Sequence, residues 1–141
     1  MYGRLYIDYS FLIDRVDTFC FPKKGSVITQ GNEVIVPASG ETAVDIARAA
    51  AVSQAGVILA GDLNIIRPRD PLVPSFLALL LSHGNTHRDL AKRAQGKSVV
   101  HLRNSDIKKT LISFPGREEQ NYVVDTFRCL ERLITLHQRE S

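Results

Sequence analysis

Cysteine is scarce in this chain and badly spaced for chemistry. Cys20 and Cys129 stand far apart, with no Cys-x-x-Cys and no Cys/His spacing that would form a zinc site. Nothing in the sequence suggests secretion, so both are read as reduced thiols rather than a disulfide. Long apolar runs are missing too. The longest, Phe76-Leu77-Ala78-Leu79-Leu80-Leu81, falls far short of the roughly 20 residues a membrane helix needs. The opening Met1-Tyr2-Gly3-Arg4-Leu5-Tyr6-Ile7-Asp8 carries charge where a signal peptide needs an apolar core. The expectation is a soluble, cytoplasmic protein. No internal repeat or low-complexity tract appears, which excludes a solenoid.

Catalytic signatures are equally thin. Gly96-Lys97-Ser98 resembles the end of a GxxxxGKS phosphate loop, but the first glycine would fall at Ala91, in a segment that reads as helix. A P-loop needs a strand leading in and a helix leading out, so the NTPase reading is rejected. His83 and His87 are four apart, yet Gly84-Asn85 breaks the helix between them and no HExxH glutamate is present. His101 and His137 add no metal spacing. Ser10, Ser39 and Ser82 lack a GxSxG elbow, and Cys20 has no nearby base. The chain is therefore expected to be no enzyme, with no metal and no cofactor.

What is present is a chain of 141 residues, one domain by length and large enough for a core without staples. Its 44% hydrophobic and 23% charged content is that of a globular protein. Net charge is only +3, but its distribution is uneven. Residues 1–86 balance to −1, residues 118–141 to −2, and residues 87–117 hold eight Lys/Arg against Asp89 and Asp106 alone. Concentrated positive charge suits a phosphate backbone, from which it displaces counterions. A solvated helix face has the same composition, and both readings stay open.

Along the chain, residues 4–22 alternate apolar and polar as strands, or a strand and a short helix, would. Lys23-Lys24-Gly25 and Gly31-Asn32 read as turns. Glu33-Val34-Ile35-Val36-Pro37 reads as a buried strand ended by proline, and 38–42 as a loop of small polar residues. Ala47 to Val52 and Val57 to Leu59 are expected to form a hairpin about Ser53–Gly56. Leu63 to Pro68 is a further strand. After Pro71 and Pro74 the period becomes helical: Phe76, Leu77, Leu80 and Leu81 mark one helix, and Asn85 to Ala94 a second. Gly96 is expected as its left-handed C-cap. Strands at 98–102 and Leu111 to Phe114 come next, with a capped turn over Ile107 to Lys109 between them. The fold class expected is α+β: a mainly antiparallel sheet with short inserted helices over residues 1–115, then a long helix over 116–141.

That last helix carries Val123, Phe127, Leu130 and Ile134 at steps of four, three and four, the seam of a coiled coil. Glu118 and Glu119 sit in its first turn, favoured by the helix dipole. Leu133 and Leu136 widen the stripe. The run is too short to tell a coiled coil from a helix packed on its own domain.

Several segments, in order, carry a resemblance. Val34-Ile35-Val36-Pro37 ends a strand, Ile46-Ala47-Arg48 comes after a small polar loop, and Asp62-Leu63-Asn64-Ile65-Ile66-Arg67-Pro68 places an asparagine ahead of Arg-Pro. A helix with paired leucines comes next, then Gly96-Lys97-Ser98, then Pro115 and Glu119-Gln120 with Val123 three residues on. Residues 30–138 thus resemble the DNA-specificity subunits of type I restriction–modification systems. The resemblance implies a non-catalytic subunit that reads double-stranded DNA through a target-recognition domain. It also implies a spacer helix, and methyltransferase and nuclease activities residing on partner chains.

This chain departs from the family in having one recognition domain and one helix where two of each are usual. The usual opening strand and helix also have no counterpart before Met1. A half-size subunit that dimerises through its helix, and a truncated fragment that only docks, are the two expectations. Candidate groove contacts are Ser39, Glu41, Thr42 and Arg48. Candidate phosphate or base contacts are Lys92, Arg93, Lys97, Ser98 and His101. Each could equally be a solvated surface residue. The helix interface would be Val123, Phe127, Leu130 and Ile134.

Overall fold

The β-branched run Glu33–Pro37 becomes strand β3, and all five of its residues are buried. Such burial requires neighbours on both edges and both faces, and the computed structural model, which describes residues 2–6, 9–59 and 61–140, supplies all four. On one edge lies β5 (Ala50–Val52), antiparallel, with Val34 opposite Ala51; on the other lies β7 (Leu63–Ile66), also antiparallel, with Ile35 opposite Ile65. β1 (Leu12–Ile13) runs parallel to β5 and completes the order β1-β5-β3-β7.

Side-chain alternation divides the core in two. Val34, Val36, Ala49 and Ala51 face a layer of helices, where they meet Phe76, Leu77, Ala78, Leu81 and Leu90. Ile35, Ala50 and Val52 face the other way, onto Leu5, Ile13, Val57 and Leu59. Burial of each large aliphatic chain contributes about 2 kcal/mol. Two buried polar side chains knit distant parts of the chain together. Asn64 donates from Nδ2 to the Leu102 carbonyl at 2.8 Å, and Thr29 donates to the Gln54 carbonyl at 2.7 Å.

The helical layer begins with α2 (Pro74–Ser82), which has proline in its first turn, and α3 (Gly84–Arg93). α2 buries Phe76, Leu77, Ala78, Leu79 and Leu81, more than the single stripe expected. It is enclosed by the sheet, by α3 and by α5 (Arg117–Glu140). The remaining elements are a 3-10 turn (Tyr2–Leu5), β2 (Val27–Ile28), β4 (Ser39–Gly40), α1 (Ala43–Ile46), β6 (Ile58–Leu59), β8 (Val100–His101) and α4 (Asn104–Lys108). The architecture is α+β with mainly antiparallel sheets, short helices and one long C-terminal helix. Among the described residues no helix is long and apolar enough to cross a membrane.

Several local expectations fail, each for a physical reason. The 47–52/57–59 hairpin does not form: β5 already has partners on both edges, and β6 pairs with β2 instead. The turn between them is captured by Thr29, which bonds the backbone of Gly56 and Val57 at 2.9 Å. The polar stretch 38–42 is not all loop. Ser39–Gly40 pairs with β8, and Thr42 caps α1 by accepting the Asp45 N–H at 3.1 Å.

The strand expected at 98–102 shrinks to two residues, and Leu111 to Phe114 forms no strand. Leu111 there is 87% exposed, and Ile112 is the side chain of that stretch that packs on the core. α4 starts at Asn104, earlier than the expected turn, because Asp106 accepts the Arg103 N–H at 3.1 Å. Gly96 does have the positive φ expected of it, +134°, but the C-cap of α3 is Ala94, and Gly96 lies beyond it in the 95–101 loop, where a side chain would collide with the Val99 carbonyl. In the N-terminal stretch the described residues form the 3-10 turn and β1. Met1, Ile7, Asp8 and Ser141, which the readings of that stretch and of the last helix include, lie outside the described residues.

Candidate nucleic-acid interface

The pairing of β4 with β8 sets Ser39 opposite His101 and Gly40 opposite Val100, across some sixty residues of chain. His101 is held twice more: its N–H reaches the Gln95 carbonyl at 2.7 Å, and its carbonyl accepts the Gln95 N–H at 2.9 Å. These two bonds close 95–101 into a tight loop, which leaves Lys97 and Ser98 in solvent at its tip. Lys92 and Arg93 occupy the last turn of α3, directly before the loop. Glu41 and Thr42 come after β4 on the other side.

Ser39, Glu41, Thr42, Lys97, Ser98 and His101 are thus gathered by one strand pair, with Lys92 and Arg93 adjoining it. Two of them have structural duties as well. Thr42 is the α1 cap, and Ser39 donates to the Asp62 carboxylate at 2.5 Å. Arg48 goes elsewhere. It is half-buried, donates to the Leu5 carbonyl at 3.2 Å and lies 4.9 Å above the Tyr9 ring, bracing the N-terminal segment.

The basic segment divides the same way. Arg117 is paired with Asp70 at 2.6 Å, and Arg88 donates to Asn85. Among the described residues, Lys92, Lys97, Arg103, Lys108 and Lys109 have no carboxylate partner, and all are exposed. α3 packs on α4, which brings the two basic helices together.

Beside His101 opens a cleft of about 380 Å³ whose walls include Asp62, Asn64, Arg103 and Asn104. Sequence patterns did not single out these residues as contacts. Arg103 lay within the basic segment and Asn104 follows it directly, but Asp62 reaches the cleft through tertiary pairing that no local spacing reveals.

The seam residues of α5 have two fates. Just before the seam, Gln120 is fully buried: its Oε1 accepts the Val73 N–H at 2.8 Å, and its Nε2 donates to the carbonyls of Pro71 at 3.0 Å and Pro115 at 2.9 Å. Val123 is half-buried on the core, and Phe127 meets Phe11 edge-on at 6.4 Å and His83 at 5.9 Å. Burial, with the charges of His87 and Arg48 close by, disfavours protonated His83 and lowers its pKa. Burial likewise raises the Tyr9 hydroxyl, against the opposing pull of Ser82 and Arg48.

Further along, Glu131 accepts from Ser10 at 2.7 Å and Arg128 meets Asp14 at 3.4 Å. From Leu130 onward the apolar side chains of the helix are only partly covered. Leu130, Leu133, Ile134 and Leu136 are each about half exposed, at 48%, 57%, 57% and 54%. An open groove of about 1180 Å³ runs between this face and the N-terminal segment.

Among the described residues no cluster of His, Cys, Asp or Glu could hold a metal ion. No protein-family model matches the chain, and no curated protein matches it.

Proposed function

We propose that this chain recognises double-stranded DNA as a specificity subunit of a type I restriction–modification system. It would direct methyltransferase subunits to their target and carry no chemistry itself. The observation that carries the proposal is the set of unpaired cations around the 95–101 loop and α4, set beside the family resemblance of residues 30–138. Unpaired lysines on exposed turns gain by displacing counterions from phosphate, a gain that salt diminishes. The half-exposed leucines of α5 suit a second copy of the helix or a partner subunit, and a dimer through that face would read a two-fold symmetric target.

A second reading, a module that docks through α5 without reading DNA, is favoured by the same apolar face taken alone. Selection from a randomised duplex library by the purified chain separates the two. Enrichment of a short motif, as an inverted repeat with a fixed gap, is the outcome expected of a dimeric reader. Absence of duplex binding at low salt would leave only the docking function.

A further inference from the structure

We infer that the cleft beside His101 reads base edges, with Arg103 and Asn104 as the discriminating side chains; this rests on the DNA-binding reading above and specifies its site. The first ground is the backbone that carries them. Leu102, 1% exposed, donates its N–H to the Ala38 carbonyl at 2.9 Å and accepts at its own carbonyl from buried Asn64 at 2.8 Å. The Arg103 N–H is held by Asp106 at 3.1 Å, and the Arg103 carbonyl accepts the N–H groups of Asp106 at 3.0 Å and Ile107 at 3.2 Å. The peptide groups leading into the pair are fixed, which is the preorganisation a reading side chain needs.

The second ground is that both side chains are exposed and, among the described residues, neither makes a side-chain hydrogen bond within the protein. Five guanidinium donors and an amide donor–acceptor pair therefore leave a rigid frame with their capacity unused. The third ground is the cleft's chemistry. A phosphate cradle excludes carboxylates, yet Asp62 lines this wall, oriented by the Ser39 hydroxyl at 2.5 Å. A mixed set of guanidinium, amide and carboxylate matches base edges: Arg to guanine O6 and N7, Asn to adenine N6 and N7, and Asp to the cytosine amino group. Lys97, Lys108 and Lys109 on neighbouring turns supply the phosphate contacts that hold such a reader in register.

The test compares selected motifs and affinities for the full chain and for Arg103→Lys, Arg103→Ala, Asn104→Ala and Lys108→Ala. The Arg103→Lys variant keeps the charge but loses the two-pronged fork. It is expected to lose preference at one guanine position, with affinity for the selected duplex down by roughly tenfold to a hundredfold, while its salt dependence stays unchanged. The Asn104→Ala variant is expected to relax one adenine position. Lys108→Ala is expected to weaken selected and scrambled duplexes alike. If the parent chain enriches a motif and the Arg103 and Asn104 variants enrich the same one undiminished, the cleft is no reader although the protein binds DNA. If the parent chain binds no duplex, the DNA-binding reading itself falls, and the cleft assignment with it.

Discussion

The body and the two outward surfaces treat polar and apolar groups in opposite ways. Inside the body, Glu33 is fully buried and its carboxylate takes the N–H groups of Gln30, Gly31 and Asn32 between 2.9 and 3.1 Å, with Arg67 at 3.4 Å. Around the 95–101 loop and α4, five cations have no carboxylate partner among the described residues, and on the far part of α5 four large aliphatic side chains are left half exposed. Two kinds of exposed group are concentrated, cations near the 95–101 loop and aliphatic side chains on the far part of α5, although Phe19, Phe21 and Leu111 are exposed elsewhere. Such concentrations suit recognition of a polyanion and association through a helix.

The contrast can be tested by asking where substitution costs folding and where it costs only binding. The largest loss is expected at Glu33→Ala, which strips three backbone N–H groups and Arg67 of their acceptor and should reduce stability by about 3 kcal/mol in urea unfolding. The pH dependence has its origin in the same contacts. Burial alone would raise the Glu33 carboxyl, but the backbone donors outweigh it and hold it below the ordinary carboxylate value. A lowered folded value means the stabilisation is complete above the unfolded pKa of about 4.3 and is lost as pH falls through the lower folded one. Glu33→Gln is expected to flatten that acid limb of the stability curve.

Gln120→Ala should come next, at about 2 kcal/mol, because one change orphans the Val73 N–H and the carbonyls of Pro71 and Pro115. Faster amide exchange in the first turns of α5 would mark the loosened helix. A cost below about 0.5 kcal/mol would show that the latch does not hold it.

Much of the fold could be read in advance where local chemistry decides it. β3 is a β-branched run between a Gly31-Asn32 turn and a terminal proline, and α2 begins at a proline where the apolar period changes. Pairing could not be read. Whether Val57–Leu59 turns back on β5 or joins β2 depends on β1 filling β5's free edge from about forty residues away in sequence, and on Thr29 seizing the turn. The candidate interface obeys the same rule. Lys97, Ser98 and His101 stood out because charge and turn residues are local signals. Arg48 reads from sequence as a groove contact, but the fold places Tyr9 beneath it, and Asp62 joins the cleft only through the chain leading into β7.

On the apolar side, Leu130→Lys with Ile134→Lys is expected to change stability by less than about 0.5 kcal/mol, since both side chains are half exposed in the single chain. The same pair should abolish self-association in sedimentation. Unchanged association would move the interface off this face. The smallest cost to folding is expected from Lys92→Ala with Lys97→Ala, exposed cations that the body does not use.

That last variant also provides the most direct measurement of DNA recognition: the salt dependence of duplex binding by the full chain. With four or five phosphate-facing cations, the logarithm of the affinity should fall against the logarithm of salt with a slope between about −3 and −5, and the double variant should make it shallower by about 2. An affinity indifferent to salt, or a slope the double variant leaves unchanged, would contradict the assignment of the β4–β8 surface to DNA.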